Sequence, residues 1–233
     1  MRGTHGTFPN NSAPRPEEKI LAPPSPQLNS YRRICQGIVA TLTGALALVV
    51  PWAIAPLTAH AAPECTQTVS GPNSGVLNVA ADQRLCLQDA VQDGAVNVDP
   101  DGALSVVDST ITGAVTLESG FSDFTFCGSK TVRGAISATG GKGAVLVGGT
   151  DCAANTIDGA VTFDANQAGV QLAQSFVADA VTASANLGGT TISGNQVVGA
   201  LTCTGNEPAP TNAGVSNTVG GGRSGQTCSD GTF

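Results

Sequence analysis

The stretch Gly113-Ala114-Val115-Thr116-Leu117 decides the fold, because close copies of it recur along the chain. Each copy places an aliphatic residue third, a polar residue fourth and, in most copies, an apolar residue fifth. A period near 20 residues predicts a solenoid, in which each turn is stabilised by the turns above and below it. The copies begin at Gly75, Gly94, Gly113, Gly134, Gly159, Asp179 and Gly199, at intervals of 19, 19, 21, 25, 20 and 20 residues.

One repeat, residues 159–178, shows how such a turn is built. Val161 and Phe163 are two residues apart and therefore share one face of a strand. After a polar turn, Val170 and Leu172 form a second alternating pair. A third short apolar segment precedes the next copy. Three short strands in about 20 residues are typical of a parallel β-helix, whose apolar side is buried only by stacking.

Aligned copies predict which side chains face the core. The third and fifth positions are expected to point inward and the fourth outward, because side chains alternate along a strand. A β-branched residue before each new copy is also expected to point inward, at Val91, Ile111, Val132, Ile157, Val177, Val197 and Val219. Two residues earlier, a ladder of Ser and Asn is expected at a bend, at Ser109, Asn155, Ser175, Asn195 and Asn217. The sequence thus predicts an all-β, right-handed parallel β-helix of about seven coils over residues 75–219.

The N-terminal region predicts export. Residues 1–30 contain six prolines without apolar periodicity, which predicts disorder. Residues 31–61 combine Arg32-Arg33, a long apolar run and an Ala-His-Ala ending, which is typical of a secretory signal peptide cleaved after Ala61. An uncleaved signal anchor is the alternative, since the run is long enough to cross a bilayer. The expected location is secreted, or at the cell surface if the segment stays attached.

Cleavage after Ala61 would remove both histidines and the only Trp and Tyr. The remaining chain has five basic and fifteen acidic residues, a formal charge of −10. Catalysis that needs histidine, such as a Ser-His-Asp triad, is then excluded, and so are zinc sites that need imidazole. An acidic chain of this kind is not expected to bind nucleic acid.

Six cysteines lie beyond the leader, an even number that predicts three disulfides in an exported protein. Cys127 and Cys152 each stand seven residues before the start of a repeat and should therefore lie one above the other in adjacent coils. The other cysteines have similar separations. The first and last bridges would pin an N-terminal cap, residues 62–74, and a C-terminal cap, residues 220–233. The predicted pairs are Cys65–Cys86, Cys127–Cys152 and Cys203–Cys228.

The pattern over residues 75–228 resembles small secreted bacterial right-handed parallel β-helix proteins of pectate-lyase-like architecture. The closest part runs from Asn195 to Cys228 and includes Gly199-Ala200-Leu201-Thr202-Cys203-Thr204-Gly205-Asn206. The resemblance implies the fold and transfers no catalytic motif. It also implies that enzymes of this architecture act mostly on polysaccharides, with calcium held by stacked acids in the lyases and clustered Asp in the hydrolases.

One acidic column could serve such chemistry. Asp99 and Glu118 follow the fifth position of adjacent repeats, and Asp101 is close in sequence. Neighbouring carboxylates could bind calcium, which prefers oxygen ligands, or act as a pair in glycoside hydrolysis. The competing interpretation is that these acids lie in solvated turns, since Asp99-Pro100-Asp101-Gly102 is an ordinary turn sequence. Lys130 and Arg133 are a further candidate, for an anionic ligand.

The preferred functional hypothesis is a non-enzymatic extracellular binding or structural module, which needs no cofactor. Its partner would be a cell-wall polymer, a glycan or an extracellular protein, and it would meet a membrane only through an uncleaved N-terminal segment. The alternative is a polysaccharide lyase or glycoside hydrolase that uses Asp99, Asp101 and Glu118, with Asp99 and Glu118 holding any calcium. The Ala/Thr pattern also resembles the flat face of ice-binding β-solenoids. The expected ligand-binding face consists of Asn97, Thr116, Ser137, Thr162, Thr182 and Thr202.

Overall fold

Each repeat forms one turn of a parallel β-solenoid in the computed structural model, which describes residues 64–131 and 133–233. The predicted disordered segment 1–30 and the predicted signal peptide 31–61 lie outside the described residues. The helical content of the described part is one 3₁₀ turn, Gln226–Ser229. No helix in that part is long and apolar enough to cross a membrane.

Every turn crosses three faces, and the strands are numbered in chain order. Face A is a sheet of eight parallel strands, one from each turn. The sequence predicted about seven coils, and the eighth comes from residues beyond position 219. The strands of face A are β2 (Leu77–Val79), β4 (Val96–Val98), β7 (Val115–Leu117), β10 (Ile136–Thr139), β13 (Val161–Asp164), β16 (Val181–Ser184), β19 (Leu201–Thr204) and β21 (Arg223–Ser224).

Faces B and C share two long strands, β1 (Gln67–Ser74) and β3 (Arg84–Asp93), which continue from one face into the other. In later turns the two faces have separate strands. Face B continues with β5 (Ala103–Val107), β8 (Asp123–Cys127), β11 (Val145–Val147), β14 (Val170–Ala173) and β17 (Thr190–Ser193). Face C continues with β6 (Thr110–Ile111), β9 (Lys130–Thr131), β12 (Asn155–Ile157), β15 (Ser175–Val177), β18 (Gln196–Val197) and β20 (Thr218–Val219).

The predicted register is confirmed on face A. Val115 pairs with Val96 on one side and Ile136 on the other, so third positions stack on third positions. The same alignment continues to Leu201. From Val79 to Cys203 the inward side chains of this face are buried, and the core between the three faces also holds fully buried phenylalanines. They are Phe121, Phe124, Phe126 and Phe163.

The prediction for the β-branched column is wrong at Val91. Val91 is 49% exposed, and the inward position next to Ile111 belongs to Gln92, which is 0% exposed. The side-chain oxygen of Gln92 accepts from the Asn73 side-chain amide, and its side-chain nitrogen donates to the Gly75 carbonyl, so its burial leaves neither polar group unpaired. Thr131 occupies the next inward position. Val132 lies outside the described residues.

The glycine that opens most repeats is required by stacking of the coils. A Cβ at Gly134 would lie within 1.9 Å of the Gly113 carbonyl oxygen, and one at Gly113 within 2.7 Å of the Ala95 nitrogen. The main chains of successive turns therefore approach too closely here for a side chain.

The Asn and Ser ladder at the bend between faces B and C is confirmed. The Asn155 side chain accepts from the Ser129 amide at 2.9 Å and donates to the Ser175 hydroxyl at 3.2 Å. Asn195 then donates to Asn217 at 2.9 Å. All these side chains are buried. Because each reaches into the next turn, the ladder satisfies polar groups that a bend would otherwise leave unpaired.

Three disulfides staple neighbouring turns, and they join the cysteine pairs that the repeat spacing predicted. Cys203–Cys228 attaches the 3₁₀ turn to β19, and buried Phe233 packs nearby in the same core. At the other end, β1 has a register shift between Val69 and Gly71 and carries Pro72. Bulges and prolines weaken an edge strand as a template for further pairing. The 3₁₀ turn therefore caps one end of the stack, and the irregular strand β1 protects the other.

Candidate functional site

The predicted ligand-binding residues form one outward column on face A. Asn97 pairs with Thr116, Thr116 with Ser137, and the pairing continues to Thr202. These side chains are half-buried and point away from the core. Neighbours within the column bond to each other at its ends: Asn97 donates to Asn78 at 3.0 Å, and Thr202 and Ser224 lie 3.0 Å apart. The column exists as a regular polar surface, and its binding role stays a prediction.

The three acids of the enzyme hypothesis, Asp99, Asp101 and Glu118, do not form a single cluster of carboxylates. Asp99 and Glu118 follow paired strand residues, which places them in adjacent turns as expected. Asp101 lies in the turn before face B, where its carboxylate contacts the ammonium group of Lys142. Both partners of that contact are about half exposed, at 51% and 54% of the side chain. The ion pair joins turns two repeats apart and competes with any other use of Asp101.

A metal site needs several ligand side chains close together. Within residues 64–131 and 133–233, no group of three or more His, Cys, Asp or Glu side chains is arranged to hold a metal ion. Calcium binding by Asp99 and Glu118 therefore stays a prediction. The two basic candidates for an anionic ligand lie in different local structures. Lys130 is an exposed strand residue of face C, whereas Arg133 lies after that strand and has a left-handed backbone conformation.

Face B carries a groove that the sequence did not predict. Its outward central column is set by strand register and runs through Ser105, Thr125, Leu146, Gln171 and Thr191. A parallel column beside it becomes small towards the C-terminal end, with Ala144, Gly169 and Gly189. Because the second column is low where the first is tall, the surface between them is concave.

Three cavities lie along this groove and share residues. The first has a volume of about 440 Å³ and extends from the Cys65–Cys86 disulfide to Leu146. The second, about 280 Å³, begins at Leu146 and ends under Pro208 and Ala209. A third, about 310 Å³, lies alongside and shares Gln171 and Thr191 with the second. The shared residues make the cavities parts of one surface that crosses most turns of the solenoid.

Beyond its N-terminal end the groove is almost uncharged. The charged side chains that line these three cavities are Arg84 and Asp123, at the N-terminal end, where an adjoining cavity that shares Arg84 also carries Glu64, Asp82 and Asp101. Arg84 and Asp123 form a two-pronged ion pair, with Arg84 Nη1 donating to Asp123 Oδ1 at 2.7 Å. The pair reaches across the intervening turn because Ala103 stands between the partners in the register and is small. Each charge of this pair is therefore compensated internally, and the remainder of the groove offers hydroxyl, amide and apolar groups.

A second buried Asn ladder was also missed by sequence reasoning. Asn166, Asn186 and Asn206 are 0–2% exposed and bond to each other from turn to turn, with Gln226 after them. Their interval of 20 residues was a readable signal. The ladder underlies the bend between faces A and B and so positions the floor of the groove.

Comparisons with protein-family models, with curated proteins and with solved structures found no match to this chain.

Proposed function

We propose that this protein is an exported, non-enzymatic binding module that holds an uncharged extracellular polymer, such as a cell-wall glycan, along face B. The observation that carries the proposal is the row of adjoining cavities along face B, which cross successive turns and whose lining includes Ser, Thr, Gln and Leu side chains. A ligand with many hydroxyl groups and no charge matches such a lining, since an ionised ligand would lose hydration without gaining a countercharge.

The stapled fold supports an extracellular role. Three disulfides persist in oxidising compartments and are rare in reducing ones. A rigid stack also suits a binding surface, because little conformational freedom remains to be lost when a polymer binds. The predicted secretory leader is consistent with this proposal.

The direct test mixes the protein, produced from the full chain and purified after export, with insoluble polysaccharides and purified cell walls. Protein remaining in solution is measured, and the same samples are assayed for new sugar ends and unsaturated products, with and without calcium. We expect depletion by at least one uncharged polymer without products. Products that form only with calcium would instead favour the enzyme hypothesis based on Asp99, Asp101 and Glu118.

A matched pair of variants identifies the face. Thr125 on face B and Thr116 on face A belong to the same turn, and both are half-buried outward strand residues. We expect Thr125→Lys to weaken polymer binding about tenfold or more, because a long cation would obstruct the uncharged groove, whereas Thr116→Lys should have little effect. The reverse result would return the binding role to the predicted face A column and overturn the groove assignment.

A further inference from the structure

Residues 223–233 form a strap that closes the C-terminal end of the stack as an abbreviated eighth turn. In the ladder between faces B and C, the main-chain and side-chain amides of Asn195 both donate to the Asn217 side-chain oxygen, at 3.0 and 2.9 Å. Asn217 uses the same two groups to donate to the Phe233 carbonyl, at 2.8 and 2.7 Å. A carbonyl of the strap therefore stands where the side chain of a full eighth turn would place its oxygen.

The ladder between faces A and B ends on the strap in the same way. Asn186 donates to the Asn206 side-chain oxygen through its main-chain and side-chain amides, at 3.1 and 2.8 Å. Asn206 repeats both bonds to the side-chain oxygen of Gln226, at 3.1 and 2.9 Å. Cys228 and Phe233 of the strap are buried in the core. The strap therefore satisfies the donors and covers the apolar side chains that the seventh turn presents on its free side.

The strap has internal hydrogen bonds and is joined to the stack through glycine. Arg223 donates to the Gly231 carbonyl at 2.8 Å, and the Phe233 amide donates to the Asp230 carbonyl at 3.0 Å. The connection to β20 is the three glycines at 220–222, and the last of them has a φ of +97° with no atom within 4 Å of where a Cβ would lie. Because glycine reaches most backbone conformations, this connection can redirect the strap as one unit.

A second copy of this chain is the partner that fits the seventh turn once the strap leaves it. The N-terminal end of another copy cannot replace the strap, because its ladder position opposite Ala90 is Gly71, which has no side-chain oxygen. The strap of another copy offers the same Phe233 carbonyl and the same Gln226 oxygen. The contacts of the strap are then identical in the exchanged and unexchanged forms, which is the condition for domain swapping.

We propose that the strap exchanges between copies: while the Cys203–Cys228 bridge is open, the strap of one copy docks on the seventh turn of another, and closing the bridge fixes the arrangement. Cys203 lies in the stack and Cys228 on the strap, so the bridge records which copies are joined. Closure oxidises the two thiols, whose two electrons and two protons pass to a small disulfide such as oxidised glutathione and convert it to two thiols. This exchange does not depend on the proposed polymer binding.

Two variants, Cys203→Ser and Cys228→Ser, test the exchange when they are mixed with oxidised glutathione. Neither can close the bridge within one chain, so a disulfide between Cys203 and Cys228 must join two copies. We expect a covalent dimer with that bridge, identified by mass spectrometry of its peptides. Its yield should rise about tenfold when the micromolar protein concentration is raised about tenfold, because the effective concentration of a strap for its own turn is of millimolar order.

The matched control is a mixture of Cys127→Ser and Cys152→Ser, whose bridge lies within the stack. We expect this mixture to stay monomeric, because neither of its cysteines lies on the strap. If the first mixture forms no covalent dimer, or if both mixtures form it in equal yield, strap exchange is wrong.

The parent protein gives a second readout that needs no substitution. Unlabelled and isotope-labelled protein are mixed, opened with a dithiol reductant and closed with oxidised glutathione, and the masses of the bridged peptides are measured. A half-labelled Cys203–Cys228 peptide, beside Cys127–Cys152 peptides that are wholly labelled or wholly unlabelled, supports exchange. Absence of the half-labelled Cys203–Cys228 peptide contradicts it. Equal half-labelling at both bridges also contradicts it, since that result indicates random pairing of unfolded chains.

Discussion

At the scale of single residues, buried amides hold the turns in register. The Asn186 side chain donates to the Phe163 carbonyl at 3.2 Å and to Asn206 at 2.8 Å. Its oxygen accepts from the main-chain and side-chain amides of Asn166. One side chain therefore connects several turns, and no aliphatic residue of similar size could replace these bonds.

Asn186→Ala should lower the free energy of unfolding by about 3 kcal/mol, because it leaves buried donors and acceptors in neighbouring turns without partners. The matched control is Leu187→Ala, since Leu187 is the next residue and is 57% exposed; its loss should be within about 0.5 kcal/mol. Urea unfolding of both proteins measures the difference. Equal, small losses in the two variants would show that the ladder contributes little to stability.

At the scale of elements, the two 25-residue disulfide loops differ in what they attach. Cys127–Cys152 joins two turns within the stack and ties a loop whose residues Thr150 and Asp151 are exposed. Cys203–Cys228 joins the last long strand of face A to the 3₁₀ turn, and both of its cysteines are fully buried. Loop closure alone gives both bridges about 3–4 kcal/mol by the chain-entropy relation.

Two double variants, each with both cysteines of one bridge replaced by alanine, distinguish the internal bridge from the terminal one. We expect both variants to lose stability. Only Cys203→Ala/Cys228→Ala should lose hydrogen-exchange protection across residues 217–233, because the terminal turn is held from one side. The internal pair should keep that protection, since turns above and below still pair with its strands. Unchanged protection at the C-terminal end of both variants would show that packing of Phe233 holds the cap without the bridge.

At the scale of the whole molecule, the cysteine count tests export and cleavage together. The chain has seven cysteines, six of them in the three disulfides, and the seventh, Cys35, lies in the predicted signal peptide. Exported protein should therefore begin at Ala62 by intact mass and show no reactive thiol after unfolding without reductant. A chain that retains its leader would be heavier and would carry one additional thiol.

The repeat made much of the architecture predictable. The period determines which residues stack, because one turn must pair with the next, and alternation then separates inward from outward side chains. The column from Leu77 to Leu201 and the three disulfide pairs follow from that reasoning. It failed by one residue at Val91, where β3 runs through a corner. Gln92 can be buried there because it accepts a hydrogen bond from the Asn73 side chain and donates one to the Gly75 carbonyl.

The sequence by itself therefore determined the solenoid, its turn-to-turn register and its disulfides, because all three depend on one-dimensional spacing. Only the tertiary structure decided that the groove lies on face B and that Arg84 pairs with Asp123 across an intervening turn. The physical reason is that a groove depends on the relative heights of side chains from several turns and on the position of the loop at Pro208. Those heights and that loop position are properties of the packed stack, and no single repeat encodes them.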